Sequence, residues 1–376
     1  MDSVLEILDS ELNGTQGLER HNRTLLTSYT YLPSQLKPCF LYCGMFPGDH
    51  IIKVNRLIHF WVAEGFIEEH PRKTLEEVTK NYLSQLMERN MFQAYGYQDR
   101  VGLRKFKLHN LMRDIAIHML RKEEFSMTFP NQRNCIYAKE VGRLAIHDTS
   151  FSFRSSTIDL SETNAKNLPT EICDLIHLRY LSLRRTKVST LPALLHRLQG
   201  LQTFDFRDTK VKSLPPGTAL STFPQMRRVY AIAGLRIGWS CKSLSNLQTL
   251  CGLYCDKNLT SQLHLSTRLT KLYVCGLDKE NCIEICAAIK KMQYLRSLTI
   301  KRSANVDKTL DLESMSPPPP HLEILDVQMR MSKSHLPQCI SSLKYLHTIH
   351  LLGSDLRIDP FSTLAQLPKL EITLTG

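Results

Sequence analysis

Leu168-Pro169, Leu191-Pro192 and Leu214-Pro215 recur at 23-residue steps, and this spacing constrains the chain more than any other feature. The apolar frame around it repeats as well. Leu178-x-x-Leu181-x-Leu183 with Val188 and Leu191 returns as Leu201-x-x-Phe204-x-Phe206 with Val211 and Leu214, while Ile158, Leu160 and Leu168 fill the same slots one period earlier. A period in the twenties headed by L-x-x-L-x-L is the pattern of leucine-rich repeats, in which each unit supplies one short strand and a return. A single unit cannot bury its apolar edge, so the units must stack into a solenoid.

The frame continues at Met226-x-x-Val229, Leu247-x-x-Leu250-x-Gly252, Leu269-x-x-Leu272-x-Val274, Leu295-x-x-Leu298-x-Ile300, Leu322-x-x-Leu325-x-Val327 and Leu346-x-x-Ile349-x-Leu351. The longest step, from Leu295 to Leu322, carries the proline run Pro317 to Pro320, as expected if insertions fall in loops between strands. Val141-x-x-Leu144-x-Ile146 reads as an opening strand, and Leu370 is a candidate head for a last unit that Glu371 to Leu374 fit poorly. The expectation is about nine or ten units, well above the roughly three a stable stack needs.

Residues 1–130 carry no repeat. Pro33 can open a helix. Cys39 to Phe46 then form an apolar run ended by Pro47-Gly48, the pattern of a buried helix. Leu57, Ile58, Trp61, Val62 and Phe66 recur at helical spacing, with Gly65 placed to close that helix left-handed. Thr74 followed by Glu77 is a capping box for a third helix lined by Leu75, Val78, Tyr82 and Leu86. Met91 to Ala94 and Arg104 to Leu108 flank turn residues Gly96 to Gly102, a hairpin signal, and Leu111 to Leu120 form a last amphipathic helix. The expected fold class is therefore α/β: a mostly helical, winged-helix-like block at 1–130, a linker at 131–140, and a leucine-rich-repeat horseshoe at 141–376. Winged helices often bind DNA, and Arg104, Lys105 and Lys107 could meet phosphates, so a nucleic-acid-binding protein is the alternative reading.

Forty-eight Lys and Arg against 36 Asp and Glu give a formal net charge of +12, which favours acidic partners and speaks to association, not fold. There is no apolar run long enough to span a membrane and no basic, signal-like start at Met1, so the expected compartment is the cytoplasm or nucleus. The 11 cysteines form no disulfide-like framework, which agrees with a reducing compartment. Three C-x-x-x-C pairs occur at Cys39/Cys43, Cys251/Cys255 and Cys282/Cys286; no matching second pair or close His pair completes a zinc set, and buried thiols explain them better. No metal site is expected.

Tyr29-x-Tyr31-Leu32-Pro33-x-x-Leu36-Lys37-x-Cys39-Phe40-Leu41-Tyr42-Cys43-x-Met45-Phe46-Pro47 and Leu57-Ile58-x-x-Trp61-Val62-Ala63-Glu64-Gly65-Phe66-Ile67 closely resemble motifs of the second ARC subdomain of plant NB-ARC leucine-rich-repeat disease resistance proteins of the coiled-coil class. Phe106-x-Leu108-His109-Asn110-Leu111-Met112-Arg113-Asp114 lies where that family keeps its Met-His-Asp motif. The resemblance implies a fragment of an immune receptor acting in defence, truncated to the winged-helix subdomain and the repeats. In the family the motif histidine contacts the phosphates of bound ADP, so His109 is the cofactor residue the resemblance implies, with Asn110 replacing the acid. No Gly-Lys dipeptide exists in the chain, so the G-x-x-x-x-G-K-[ST] loop is absent. Neither bound ADP or ATP nor ATPase activity is expected of this chain alone, and His109 reads better as a hydrogen-bonded residue at the hairpin-to-helix junction, since the rest of the nucleotide site is missing.

In a leucine-rich repeat the x positions face the concave sheet. Here they carry Arg179, Tyr180, Arg184, Arg185, Arg207, Arg227, Arg228, Tyr230, Lys271 and Tyr273, with Lys301 and Arg302 further on. Arg and Tyr are enriched at interface hot spots, so a protein partner is expected there: a nucleotide-binding domain, or a pathogen-derived or host protein. Arg184, Arg207 and Arg228 are expected side by side in successive units, and Ser182 beside core Leu181 is expected to be exposed.

Overall fold

The computed structural model describes residues 27–46, 50–71, 73–96, 104–122, 135–137, 156–236, 245–277, 279–302 and 309–372. The chain divides into two compact units, Met1–Asn134 and Cys135–Gly376.

In the first unit α1 (Lys37–Cys43) is buried from Cys39 through Cys43, as its apolar run requires. Helix α2 (Val54–Glu64) ends on Gly65 at φ 80°, a left-handed closure that glycine adopts without steric penalty. Helix α3 (Leu75–Glu88) opens with the capping box read from the sequence: the Thr74 hydroxyl accepts from the Glu77 amide at 3.2 Å, and Glu77 Oε2 accepts from the Thr74 amide at 2.9 Å. The hairpin pairs β2 (Gln93–Ala94) with β3 (Lys105–Lys107), and α4 (Asn110–Lys122) follows. The structure adds a third strand, β1 (Ile52–Lys53), which puts β3 in the middle of a three-stranded antiparallel sheet. Two residues of extended chain carry no periodicity, so no sequence pattern marks it. Phe40, Phe92 and Phe106 stack in the core, Phe92 and Phe106 with centroids 4.6 Å apart. Helices α1 and α4 meet at Gly44, where a Cβ would lie 2.7 Å from the Ala116 Cβ.

Among the described residues the second unit is built on a parallel sheet of eleven strands. In chain order these are β4 (Cys135–Tyr137), β5 (Thr157–Asp159), β6 (Tyr180–Ser182), β7 (Thr203–Asp205), β8 (Arg228–Leu235), β9 (Thr249–Tyr254), β10 (Lys271–Cys275), β11 (Ser297–Lys301), β13 (Ile324–Gln328), β15 (Thr348–Leu351) and β16 (Glu371–Ile372). The short pair β12 (Thr309–Leu310) and β14 (Arg330–Met331) stands apart from that sheet. The frame leucines line up: Ile158, Leu181, Phe204, Val229, Leu250, Leu272, Leu298, Leu325 and Ile349 occupy one register column and are all fully buried. Returns are 3-10 turns in the 23-residue units. The units headed by Leu247 and Leu269 hold helices instead, α5 (Lys257–Leu263) and α6 (Lys279–Lys290), before the last short helix α7 (Phe361–Leu364).

Several expectations change. Strand β4 lies within the stretch 131–140 read as a linker, and the unit boundary falls at 134/135; the strand at 141–146 lies outside the described residues. Strand β16 aligns Ile372 with Ile349, so Leu370 stands one place beyond the head slot that Leu346 defines. Ser182 is 2% exposed, because short side chains on strands about 4.8 Å apart are shaded by larger neighbours. The C-x-x-x-C spacing at Cys39/Cys43 and at Cys282/Cys286 is one helical turn on α1 and α6, and all four thiols are buried.

Candidate partner-binding face

Opposite the leucine core the sheet presents two clear columns. The first runs Thr157, Tyr180, Thr203, Arg228, Thr249, Lys271; the second runs Asp159, Ser182, Asp205, Tyr230, Cys251, Tyr273. This register corrects the expected arginine cluster. Arg228 is the counterpart of Tyr180 and Thr203, whereas Arg184 and Arg207 both follow their strands by two residues, so the three do not stand side by side. The apolar frame already carries this offset: Arg228 lies two residues past its head Met226, whereas Arg184 and Arg207 lie six past Leu178 and Leu201.

Burial sorts the expected contact residues. Tyr180 is 4% exposed and Arg228 2% exposed, so neither offers much surface. The Arg228 guanidinium donates to Thr203 Oγ1 at 3.4 Å and to Gln248 Oε1 at 3.2 Å, and burial pulls its pKa down to about 10. Arg179, Arg185 and Lys271 are exposed, while Arg184, Arg207, Arg227, Tyr230, Tyr273 and Lys301 are half-buried.

Much of the positive charge between β5 and β7 is matched by carboxylates. Arg207 donates from Nε to Asp205 Oδ1 at 3.0 Å, and its guanidinium lies 4.3 Å from the Tyr230 ring centroid. Arg185 lies 3.5 Å from Glu162 and 3.6 Å from Asp208, which Arg184 approaches to 3.9 Å. The same face from β8 to β11 is built differently. Arg236 lies 4.2 Å from the Tyr254 ring and Lys301 5.4 Å from the Tyr273 ring, cation–π contacts that stand beside an ion pair at the edge of this stretch, Arg296 with Glu323 at 3.5 Å. Here too the ladder is interrupted: Tyr230 pairs with Cys251 but Leu235 with Leu253, so four residues of β8 oppose Gly252. Sequence reading missed this bulge, Tyr254 and Arg236; the glycine in a frame slot at Gly252 was its only signal.

In the first unit His109 is exposed. Its Nδ1 accepts from the Leu111 amide at 3.3 Å and its carbonyl accepts from the Arg113 amide at 2.9 Å, which makes it the cap of α4. Arg113 Nε donates to the Phe46 carbonyl at 2.8 Å, so the motif ties α4 to the end of the α1 segment. Arg104 and Lys105 on the hairpin are exposed and Lys107 is half-buried. Among the described residues no group of three or more His, Cys, Asp or Glu converges as a metal site, and no helix is long and apolar enough to cross a membrane.

Residues 45–116 match the winged-helix domain of disease resistance proteins, and residues 154–374 match a leucine-rich repeat region. The disease resistance protein RPP13 of Arabidopsis thaliana is 25% identical over 379 residues, covering 92% of this chain and 42% of RPP13. RPM1 of the same plant is 35% identical over 122 residues, 32% of this chain and 13% of RPM1. A solved leucine-rich-repeat protein of Leptospira interrogans matches 59% of this chain and 62% of its own, with 17% identity and a TM-score of 0.39. The chain spans about two fifths of the length of the relatives that it matches from end to end. With its repeat region preceded by a winged-helix domain of the disease-resistance type, and similar along most of its length to plant disease resistance proteins, this chain belongs to the leucine-rich-repeat family.

Proposed function

We propose that the chain is a non-catalytic interaction part of a plant immune receptor, and that the open face of its parallel sheet docks a protein. The supporting observation is the eleven-strand sheet itself: one side is a continuous leucine core, and the other presents Arg, Lys and Tyr from successive strands. Rigid strands place those side chains at fixed spacing, so little ordering entropy is lost on binding. The partner is a nucleotide-binding domain of the receptor class, or a host or pathogen-derived protein. The test is co-precipitation with the nucleotide-binding domain of a full-length relative. Capture should weaken with salt, and reversing Arg184, Arg185, Lys271 and Lys301 together to Glu should abolish it. Full retention of the partner by that variant, with circular dichroism unchanged, sinks this reading.

The chain alone neither binds nor hydrolyses ATP in this reading, since no Gly-Lys phosphate loop occurs and His109 is engaged as a helix cap. Calorimetric titration with ADP and ATP checks it; binding that His109→Ala removes would overturn it.

A further inference from the structure

We propose that the contact centre of this face is the basic tyrosine patch across β8 to β11, and that it takes an Asp- and Glu-rich segment of a protein. The proposal rests on the docking reading above and narrows it to one patch and one partner chemistry.

Charge pairing carries the first step. Arg184, Arg185 and Arg207 each lie beside a carboxylate, so an incoming acid must compete with one already present. Arg236, Lys271, Lys301 and Arg302 have no carboxylate within ion-pair distance among the described residues. Uncompensated cations attract a carboxylate more strongly than paired ones.

A second, independent observation is that the backbone is shaped to hold the tyrosines there. Gly252 has φ 91°, and a Cβ on it would sit 2.3 Å from the Ala231 carbonyl, so the bulge on β8 closes only over glycine. Gly276 has φ 75°, and a Cβ there would lie 2.1 Å from the Tyr254 ring; that ring rests directly on the bare backbone. Bulges of this kind re-aim side chains and concentrate near functional sites. Tyr254 then lies within 4.2 Å of Arg236, and Tyr273 within 5.4 Å of Lys301.

The arrangement discriminates between polyanions. Single-stranded nucleic acid gains its affinity from bases stacked on open aromatic faces. Here Arg236 and Lys301 lie over the rings of Tyr254 and Tyr273, which leaves cation heads and phenol groups as the offered chemistry, and carboxylates accept from both. Asp326, on the next strand but one from β10 and held by Gln328 at 3.0 Å, is an anion within the same column. A phosphate at every nucleotide must oppose it, whereas a protein segment can place a neutral residue there.

The experiment is fluorescence anisotropy on the full chain with a labelled Glu-Ala repeat peptide. Labelled oligo-dT and phosphatidylserine vesicles are run as parallel arms. Lys271→Glu with Lys301→Glu should weaken peptide binding by about tenfold or more, while Lys187→Glu with Lys210→Glu, an equal charge change on exposed turn lysines, should alter it less than about threefold. Equal losses in both variants would reduce the effect to net charge and overturn the patch. So would no peptide binding by the unaltered chain, or tighter binding of oligo-dT or vesicles than of peptide. If the Glu variant loses its circular dichroism, Lys271→Gln with Lys301→Gln carries the test with a smaller expected loss. Failure of the patch is separable from failure of the docking reading. Co-precipitation lost with Arg184→Glu and Arg185→Glu but kept with the patch variant sinks only the patch, whereas retention by the fourfold variant sinks the docking reading as well.

Discussion

The sheet from β5 to β7 and the sheet from β8 to β11 share one core and differ on the other side. Both bury a frame residue at every strand: Leu181 and Phe204 in the first, Leu250 and Leu298 in the second. The first keeps the 23-residue step, ends its strands in tight turns, and sets arginines against carboxylates. The second varies its step, admits a bulge and two helices, and sets cations over tyrosines. A repeat frame therefore fixes where the core lies while leaving the opposite face free to diverge, because core slots answer to packing and the x positions only to their neighbours.

The largest effect that probes this contrast comes from the shared core. Leu181→Ala and Leu298→Ala should each lose about 2–5 kcal/mol in urea melts, since both side chains are fully buried between stacked strands. A loss confined to one of them would break the claim that the two regions share one core. Next comes the bulge: Gly252→Ala should destabilise by about 1–3 kcal/mol through its left-handed φ and the contact with Ala231. A neutral result would mean that the β8–β9 register is not the one described.

Alkaline pH weighs the regions by their buried thiols: burial pushes Cys173 of the first region up to about 11, and the second region carries more such thiols. Burial pushes Cys251 up to about 11 and Cys286 to about 12, both in the second region, from the ordinary thiol value of 9.0. The unfolded chain thus loses these protons first, so the stability they contribute is present below pH 9 and falls as pH rises toward 11. The slope is up to about 1.4 kcal/mol per pH unit for each thiol. Cys251→Ala with Cys286→Ala should flatten that fall in melts taken between about pH 8.5 and 10.5; an unchanged slope would assign it to other groups. The smallest effect is expected of Arg185→Ala, whose two ion pairs are solvent-exposed and should contribute less than about 1 kcal/mol, further reduced by salt. A loss of several kcal/mol would show that the charge network of the first region is structural.

Local signals in the first unit were legible because their physics is local. Thr74 and Glu77 satisfy amides within one turn, Gly65 closes a helix at its own φ, and the hairpin follows from alternation on either side of a turn. The resemblance placed His109, but its bond to the Leu111 amide emerged only in the fold. Among the x positions the sequence named the side of the sheet and misjudged the surface. Tyr180, Ser182 and Arg228 point away from the core and are nonetheless covered, since accessibility depends on neighbours one strand away, some 20 to 25 residues distant in sequence.

The sequence by itself determined the solenoid, its core column, the end of α2 and the start of α3, because each follows from a period or from contacts within a few residues. Tertiary structure alone decided the bulge between β8 and β9, the two-residue strand β1 and the partner of each charge. Those outcomes depend on which residues of separate units come to lie across one strand spacing. An inserted residue that a loop absorbs in one unit and a bulge in the next shifts every such meeting without changing the apolar frame.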